Sequence, residues 1–530
     1  MTNDPAADAQ ALFEALYDEG DDAVVRLLRS GVPAEATDDD GETALYRASV
    51  QDHPGMVRLL LAAGADPDRA SGPQAGDLPL CGAAVGGHTE VVEALLSAGA
   101  TPDLREEFGF TAMAWAVRQG HADVVEALLE YGADPDLPAP GTEPPLVLAA
   151  RRGSTETVRT LLRHGASARR EALEEARRWL EADVEEELRA GLLETFGDAA
   201  AGAAGAAGAA GAAGAAGAAA DVAADVAEPE TVTSRFVEDG GETVVVELLR
   251  DGRPSAGNEQ QTGHAAIATL LEEQLGIRTP FEELAERALS SGDPGRDEWM
   301  DSVAALWRRG DEETFQAAAA WCASGDPLRQ AFAADVLAQL GFEQGGKPFA
   351  ARALPLLREL ARAAGDDDTE LAQAAVLALG HHGDPAALPE ILRHVSHPDA
   401  EVRHRVALSL IGLVPAGHRE GAAALIALSR DADDEVRDWA TLALAGLDAD
   451  TPEIREALAD GLEDHDPDTA AEAARGLAAR GDDRAVEALA RLLREEDPEG
   501  YAYATAVEAL EYVADAAVRR RLERTPPRYR

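Results

Sequence analysis

The chain repeats itself with two different units, one on each side of a stretch reading GAAGAAGAAGAAGAAGAA from Gly202. From Ala9 to about Ala168 the unit is roughly 33 residues long, and from about Asp297 to Leu522 a looser helix pair recurs every 31 to 43 residues. Units of this size cannot bury an apolar face alone, so they must stack on their neighbours in open, one-dimensional arrays. Such surfaces hold partners more readily than they enclose substrates.

In the first array the glycines Gly64, Gly99, Gly132 and Gly165 lie 35, 33 and 33 residues apart, and Gly31 precedes Gly64 by 33. The spacing predicts a helix capped by a residue such as Thr43 or Thr111, close helix approach at Ala83 and Ala84, and a second helix ended by glycine in a left-handed turn. Phrases such as GH at Gly87 and His88 and at Gly120 and His121, with GADPD from Gly64 and from Gly132, resemble the ankyrin repeat. The resemblance implies a concave binding side of fingers and first helices. That side would carry Tyr46, Arg47, Phe108, Phe110, Trp115, Arg118, Gln119, Arg151 and Arg152. Trp115 is the strongest candidate, because Arg47, Gly82 and Leu148 hold its place in the other units and so no structural role there demands a large ring. The family's TPLH phrase is absent (TALY, LPLC, TAMA and PPLV stand there), which implies that its inter-unit histidine hydrogen bonds are missing.

After Arg169 the pattern reads as charged helices capping the stack, through residue 197. Residues 198–229 collapse to Ala and Gly, with six glycines spaced by three; the composition predicts a flexible linker with ends on the order of 30 Å apart. In 230–296 the phrase VTSRFVEDGGETVVVELLRDG from Val232 suits a short hairpin or a helix, since its Val run has no decisive period. HAAIATLLEEQLG from His264 and TPFEELAERAL from Thr279 read as the opening helices of the second array.

The second array, 297–524, is clearest at HPDAEVRHRVALSLIGL from His397, DADDEVRDWATLALAGL from Asp431 and DHDPDTAAEAARGLAAR from Asp464. These phrases resemble HEAT-like repeats, including the bacterial type named after phycobilin lyases. The resemblance implies a ladder of Asp and Arg side chains between units, drawn from phrases such as Asp399 to Arg403 and Asp434 to Arg437. The last residues, 525–530, form a basic tail.

The formal charge of −52 repels phosphate backbones and anionic lipid heads, so the composition argues against nucleic acid and membrane partners and for proteins, basic ones among them. A single lysine, Lys347, among many arginines points to GC-rich, bacterial coding. Two distant cysteines, Cys81 and Cys322, exclude a disulfide framework and fit a reduced, cytoplasmic setting. No leader-like start and no apolar run of membrane length are seen, so a soluble chain is expected.

Six of the 12 histidines (His381, His382, His394, His397, His404 and His418) crowd into one region of the second array, but no His-Glu dipeptide occurs. No metal, cofactor or catalytic residue is therefore expected, and neither cysteine has the basic neighbours that activate a thiol. The combined expectation is an all-α protein of two solenoids, ankyrin-like then HEAT-like, joined by the Ala-Gly segment. Its expected role is that of a monomeric, non-enzymatic scaffold for proteins. Two alternatives stay open: a HEAT-like lyase or metal-dependent enzyme, and an acidic inhibitor of a basic protein.

Overall fold

The computed structural model describes residues 5–18, 20–73, 76–196, 230–238, 240–250 and 252–528. They form two compact units, Met1–Thr279 with Gly295–Glu298, and Pro280–Pro294 with Trp299–Arg530.

The first unit is a stack of helix pairs: α1 (Pro5–Tyr17) with α2 (Asp21–Ser30), α3 (Ala44–Val50) with α4 (Pro54–Ala62), α5 (Pro79–Gly86) with α6 (Thr89–Ser97), α7 (Ala112–Gln119) with α8 (Ala122–Glu130), and α9 (Pro145–Arg152) with α10 (Thr155–Arg163). The local signals act as their chemistry predicts. Thr43 and Thr111 accept from the backbone N–H of Tyr46 and Ala114, satisfying helix-end donors. Gly64, Gly99, Gly132 and Gly165 adopt φ between +90° and +97°, where a Cβ would be strained. Alanines at Ala83, Ala84, Ala116 and Ala149 are fully buried between helices.

Inter-unit histidine bonds are present after all, made by different residues from those expected. The ring Nε2 of His88 lies 3.1 Å from the Val50 carbonyl, and that of His121 lies 3.1 Å from the Val85 carbonyl. Each ties the start of a second helix to the preceding unit.

The stack contains one further pair that the chain assembles from separated pieces. α11 (Arg169–Leu180) follows α9 in the row of first helices, with Ala172, Leu173 and Ala176 in the register of Ala44, Leu45 and Ala48. Its partner is α13 (His264–Gln274), whose Ile267, Ala268 and Leu271 are fully buried in the same core. Gly263 and His264 repeat the GH phrase, His264 bonds the Arg151 carbonyl at 3.1 Å as His88 bonds Val50, and Gly276 ends the segment at φ +69°. So α13 closes the first array; it does not open the second. The half-exposed Arg177 also reaches across to the buried Glu272 carboxylate at 2.8 Å.

Between α11 and α13 lie α12 (Val184–Phe196) and an antiparallel meander of β1 (Glu230–Glu238), β2 (Gly241–Arg250) and β3 (Arg253–Gln261), in the order β1-β2-β3. The sheet departs from the all-α expectation. Along β2, Val244, Val246 and Leu248 point inward with period two, and the first two pack on Leu188 and Leu192 of α12. The Ala-Gly linker falls in 197–229, outside the described residues. Its two flanks, Phe196 and Glu230, both belong to the first unit, and the chain passes to the second unit only within 279–299.

The second unit begins with α14 (Phe281–Leu289), α15 (Asp297–Arg309), which belongs to it from Trp299 onward, and α16 (Glu312–Cys322). One row then contains α17 (Pro327–Gln339), α19 (Thr369–His382), α21 (Ala400–Leu410), α23 (Asp434–Ala445), α25 (Pro467–Ala479) and α27 (Tyr501–Ala509). The other contains α18 (Ala350–Ala363), α20 (Leu388–Leu392), α22 (Arg419–Leu428), α24 (Pro452–Gly461), α26 (Ala485–Glu495) and the terminal α28 (Ala516–Leu522). Helices of the first row approach more closely, because small residues face one another there. A Cβ on Gly380 would lie 2.6 Å from Ser409 Oγ, and one on Gly476 would lie 2.8 Å from Ala445 Cβ.

The Asp-Arg ladder is formed with a division of labour. Asp399 and Asp433 cap their helices by accepting from Val402 and Val436, while Arg403 and Arg437 reach forward to Asp431 and Asp464, at 2.8 Å through Nε.

Candidate protein-interaction face

The first helices and fingers of the first unit present the residues singled out by sequence. Phe110 and Trp115 stack at 4.9 Å between ring centroids, and the Arg118 guanidinium lies over the Trp115 ring at 5.8 Å. Trp115 is half-buried, and its indole N–H donates to Glu106 at 2.9 Å. Tyr46 leans over Gly82, the position equivalent to Trp115 in the preceding unit, where a Cβ would lie 3.1 Å from its ring. Phe108 is 71% exposed at the finger tip.

The arginines are placed differently. Arg47 is paired with Asp38 and Glu42 of its own unit. Arg151 is held by Glu143 at 2.9 Å and Glu175 at 2.7 Å, and its carbonyl accepts from Gln260 and His264. Arg152 pairs with Glu259 at 2.6 Å and donates to the Gln119 carbonyl. Arg151 and Arg152 therefore fasten the meander and α13 to the stack. Gln119 stands one turn beyond Trp115 on α7, and its backbone carbonyl is the acceptor for Arg152.

What the sequence reading missed is acidic. Among the described residues, neither Asp77 nor Glu106 has an Arg or Lys partner, and both lie beside the aromatic group. Burial raises both carboxyls above their ordinary range. In Glu106 the Trp115 hydrogen bond opposes that rise and the Asp77 charge adds to it. The Tyr46 hydroxyl is pushed up to about 12 by burial, then by Asp77, Glu42 and Glu106. Burial, then Glu106 and Asp77, likewise raise the Cys81 thiol, so it is not poised as a nucleophile. This surface therefore combines π-faces with uncompensated negative charge, the combination that attracts an ammonium or guanidinium group. A nearest-neighbour signal existed: Glu106 and Trp115 flank one finger.

The crowded histidines of the second unit are mostly structural. His382 and His394 lie 3.0 and 2.8 Å from the carbonyls of Leu337 and Ala361 in preceding helices, and His418 accepts from the Gly421 N–H as a cap. Burial lowers the His381, His382 and His394 imidazoles. Among the described residues no helix is long and apolar enough to cross a membrane.

Comparison with known families agrees with this architecture. Residues 12–61 match ankyrin repeats (many copies), residues 71–139 match ankyrin repeats (3 copies) and residues 143–170 match an ankyrin repeat. Residues 360–445 and 421–511 match HEAT repeats. No curated protein matches the chain. The chain is a mostly helical repeat protein, with ankyrin repeats followed by HEAT repeats.

Proposed function

We propose that this protein is a non-enzymatic interaction scaffold whose ankyrin face takes a basic segment of a partner protein. Repeats of both kinds are typical of interaction modules. The observation that carries the more specific reading is the pair of half-buried, unpaired carboxylates, Asp77 and Glu106, set against Tyr46, Phe110 and Trp115. A lysine or arginine side chain entering there would gain opposite charge and an aromatic face together. Arg118 and Phe108 would form the rim, and Arg47 would act through the acids it holds.

The test is a peptide array probed with the full-length protein at two salt concentrations. Peptides with Arg or Lys beside an apolar residue are expected to bind, and Trp115→Ala and Glu106→Gln are each expected to lower affinity by about tenfold or more, as for an interface anchor. Binding that falls steeply with salt but equally in wild type and both variants would instead favour an acidic inhibitor acting through its overall charge.

A further inference from the structure

The row of α17, α19, α21 and α23 in the second unit brings together three side chains that the sequence leaves apart. Glu401 and His404 stand at i and i+3 on α21, on one face of the helix. Glu435 holds the position of Glu401 in the next unit, on α23. One donor atom from each lies within 4.8 Å of the other two. His404 Nδ1 is 3.5 Å from Glu401 Oε1 and 3.7 Å from Glu435 Oε2.

These distances are too long for hydrogen bonds. They are close to what a shared cation requires: ligand bonds of roughly 2.1 Å put the donors of a tetrahedral site roughly 3.4 Å apart. The imidazole adds an independent observation. His404 has a side chain only 12% exposed, and both of its ring nitrogens are shielded from solvent with no hydrogen-bond partner. Buried ring nitrogens are ordinarily partnered, as those of His382 and His394 are on one side.

We propose that Glu401, His404 and Glu435 form a binding site for one divalent transition-metal ion of the zinc class. The imidazole binds through Nδ1, each carboxylate through one oxygen, and a water completes the fourth position. Arg405 donates to Glu401 Oε1 at 2.7 Å and holds that carboxylate in place, as outer partners of metal ligands do. Trp439, whose ring centre is 6.2 Å from that of His404, walls the site. The ion would cross-link α21 to α23, adding a rung beside the Arg403–Asp431 pair. The expectation of no metal rested on the absence of a His-Glu dipeptide. On a helix, the productive spacings are i+3 and i+4.

Full-length protein is stripped with chelator, and Zn2+ is titrated in excess Mg2+ so that the diffuse acidic surface is already occupied. Bound zinc is counted by emission spectroscopy, and Co2+ reports the coordination geometry. One zinc per chain with a tetrahedral cobalt spectrum is expected. Affinity should fall by about tenfold or more in His404→Gln and in Glu435→Gln, and stay unchanged in His465→Ala, which removes an exposed His-Asp pair nearby. Glu435 is 74% exposed, so its substitution leaves folding intact. A wild type that retains no stoichiometric zinc, or a Glu435→Gln variant that binds it as tightly, overturns the proposal.

Discussion

Gly153→Val is expected to unfasten α13 from the ankyrin stack, at a cost on the order of 4 kcal/mol. Gly153 sits at φ +75°, where valine costs about 1–2 kcal/mol. Its Cβ would lie 2.1 Å from the Gln261 carbonyl oxygen and 2.9 Å from the His264 ring, so the incoming chain must move. Three hydrogen bonds go with it: Gly263 N–H to the Gly153 carbonyl, and those of Gln260 and His264 to the Arg151 carbonyl. At about 1 kcal/mol each, the loss of these bonds exceeds the backbone term. Gly132→Val separates the two effects. Gly132 has φ +90° but nothing within 4 Å of its Cβ, so only about 1–2 kcal/mol is expected. Hydrogen exchange over 264–274, with denaturant midpoints, reads both; equal effects of the two substitutions would show that the contact with Gln261 does not matter.

The second large effect depends on pH. Burial lowers the His264 imidazole to about 4 from 6.5; the bond to the Arg151 carbonyl and the Glu175 charge only partly oppose this. The residue is 2% exposed and stacks on Trp179 at 5.4 Å. Between pH 6.5 and 4 the unfolded chain binds a proton at this residue that the folded chain does not. Its contribution is therefore complete above pH 6.5, falls as pH drops through that window and levels off below about 4. A shift of this size corresponds to about 3 kcal/mol. Measured against His264→Gln, which keeps a donor but does not titrate, wild-type stability should fall by about that amount from pH 7 to pH 4. A difference that stays constant over that range would mean that the ring takes up its proton equally in the folded and unfolded chain, with no lowering by burial.

The regular parts of the fold were legible because each is decided locally. A glycine in the left-handed region, a Thr or Asp at a helix start and a row of alanines act through neighbours a few residues away. The split pair α11 and α13 was not legible, although Gly263 and His264 carry the same phrase as Gly120 and His121. The 83 residues 181–263 hide the period. The β2 strand was ambiguous because Val245 and Leu249 place apolar groups on its other face as well. At the candidate face, residue type singles out Phe110 and Trp115, which the fold stacks at 4.9 Å. It could not distinguish Arg118 from Arg151 and Arg152, since only the fold shows which arginines already have acids. The missed acids, and His404 with its glutamates, depend on neighbours in adjacent units.

Because Phe196 and Glu230 flank the Ala-Gly segment within one unit, a cut anywhere in 197–229 divides the ankyrin stack itself. One fragment keeps α11 and its exposed apolar face, and the other carries the meander and α13 that cover it. The molecule thus contains a natural split point: co-expressed halves should complement one another, and the packing of a single repeat becomes a dissociation constant that can be titrated.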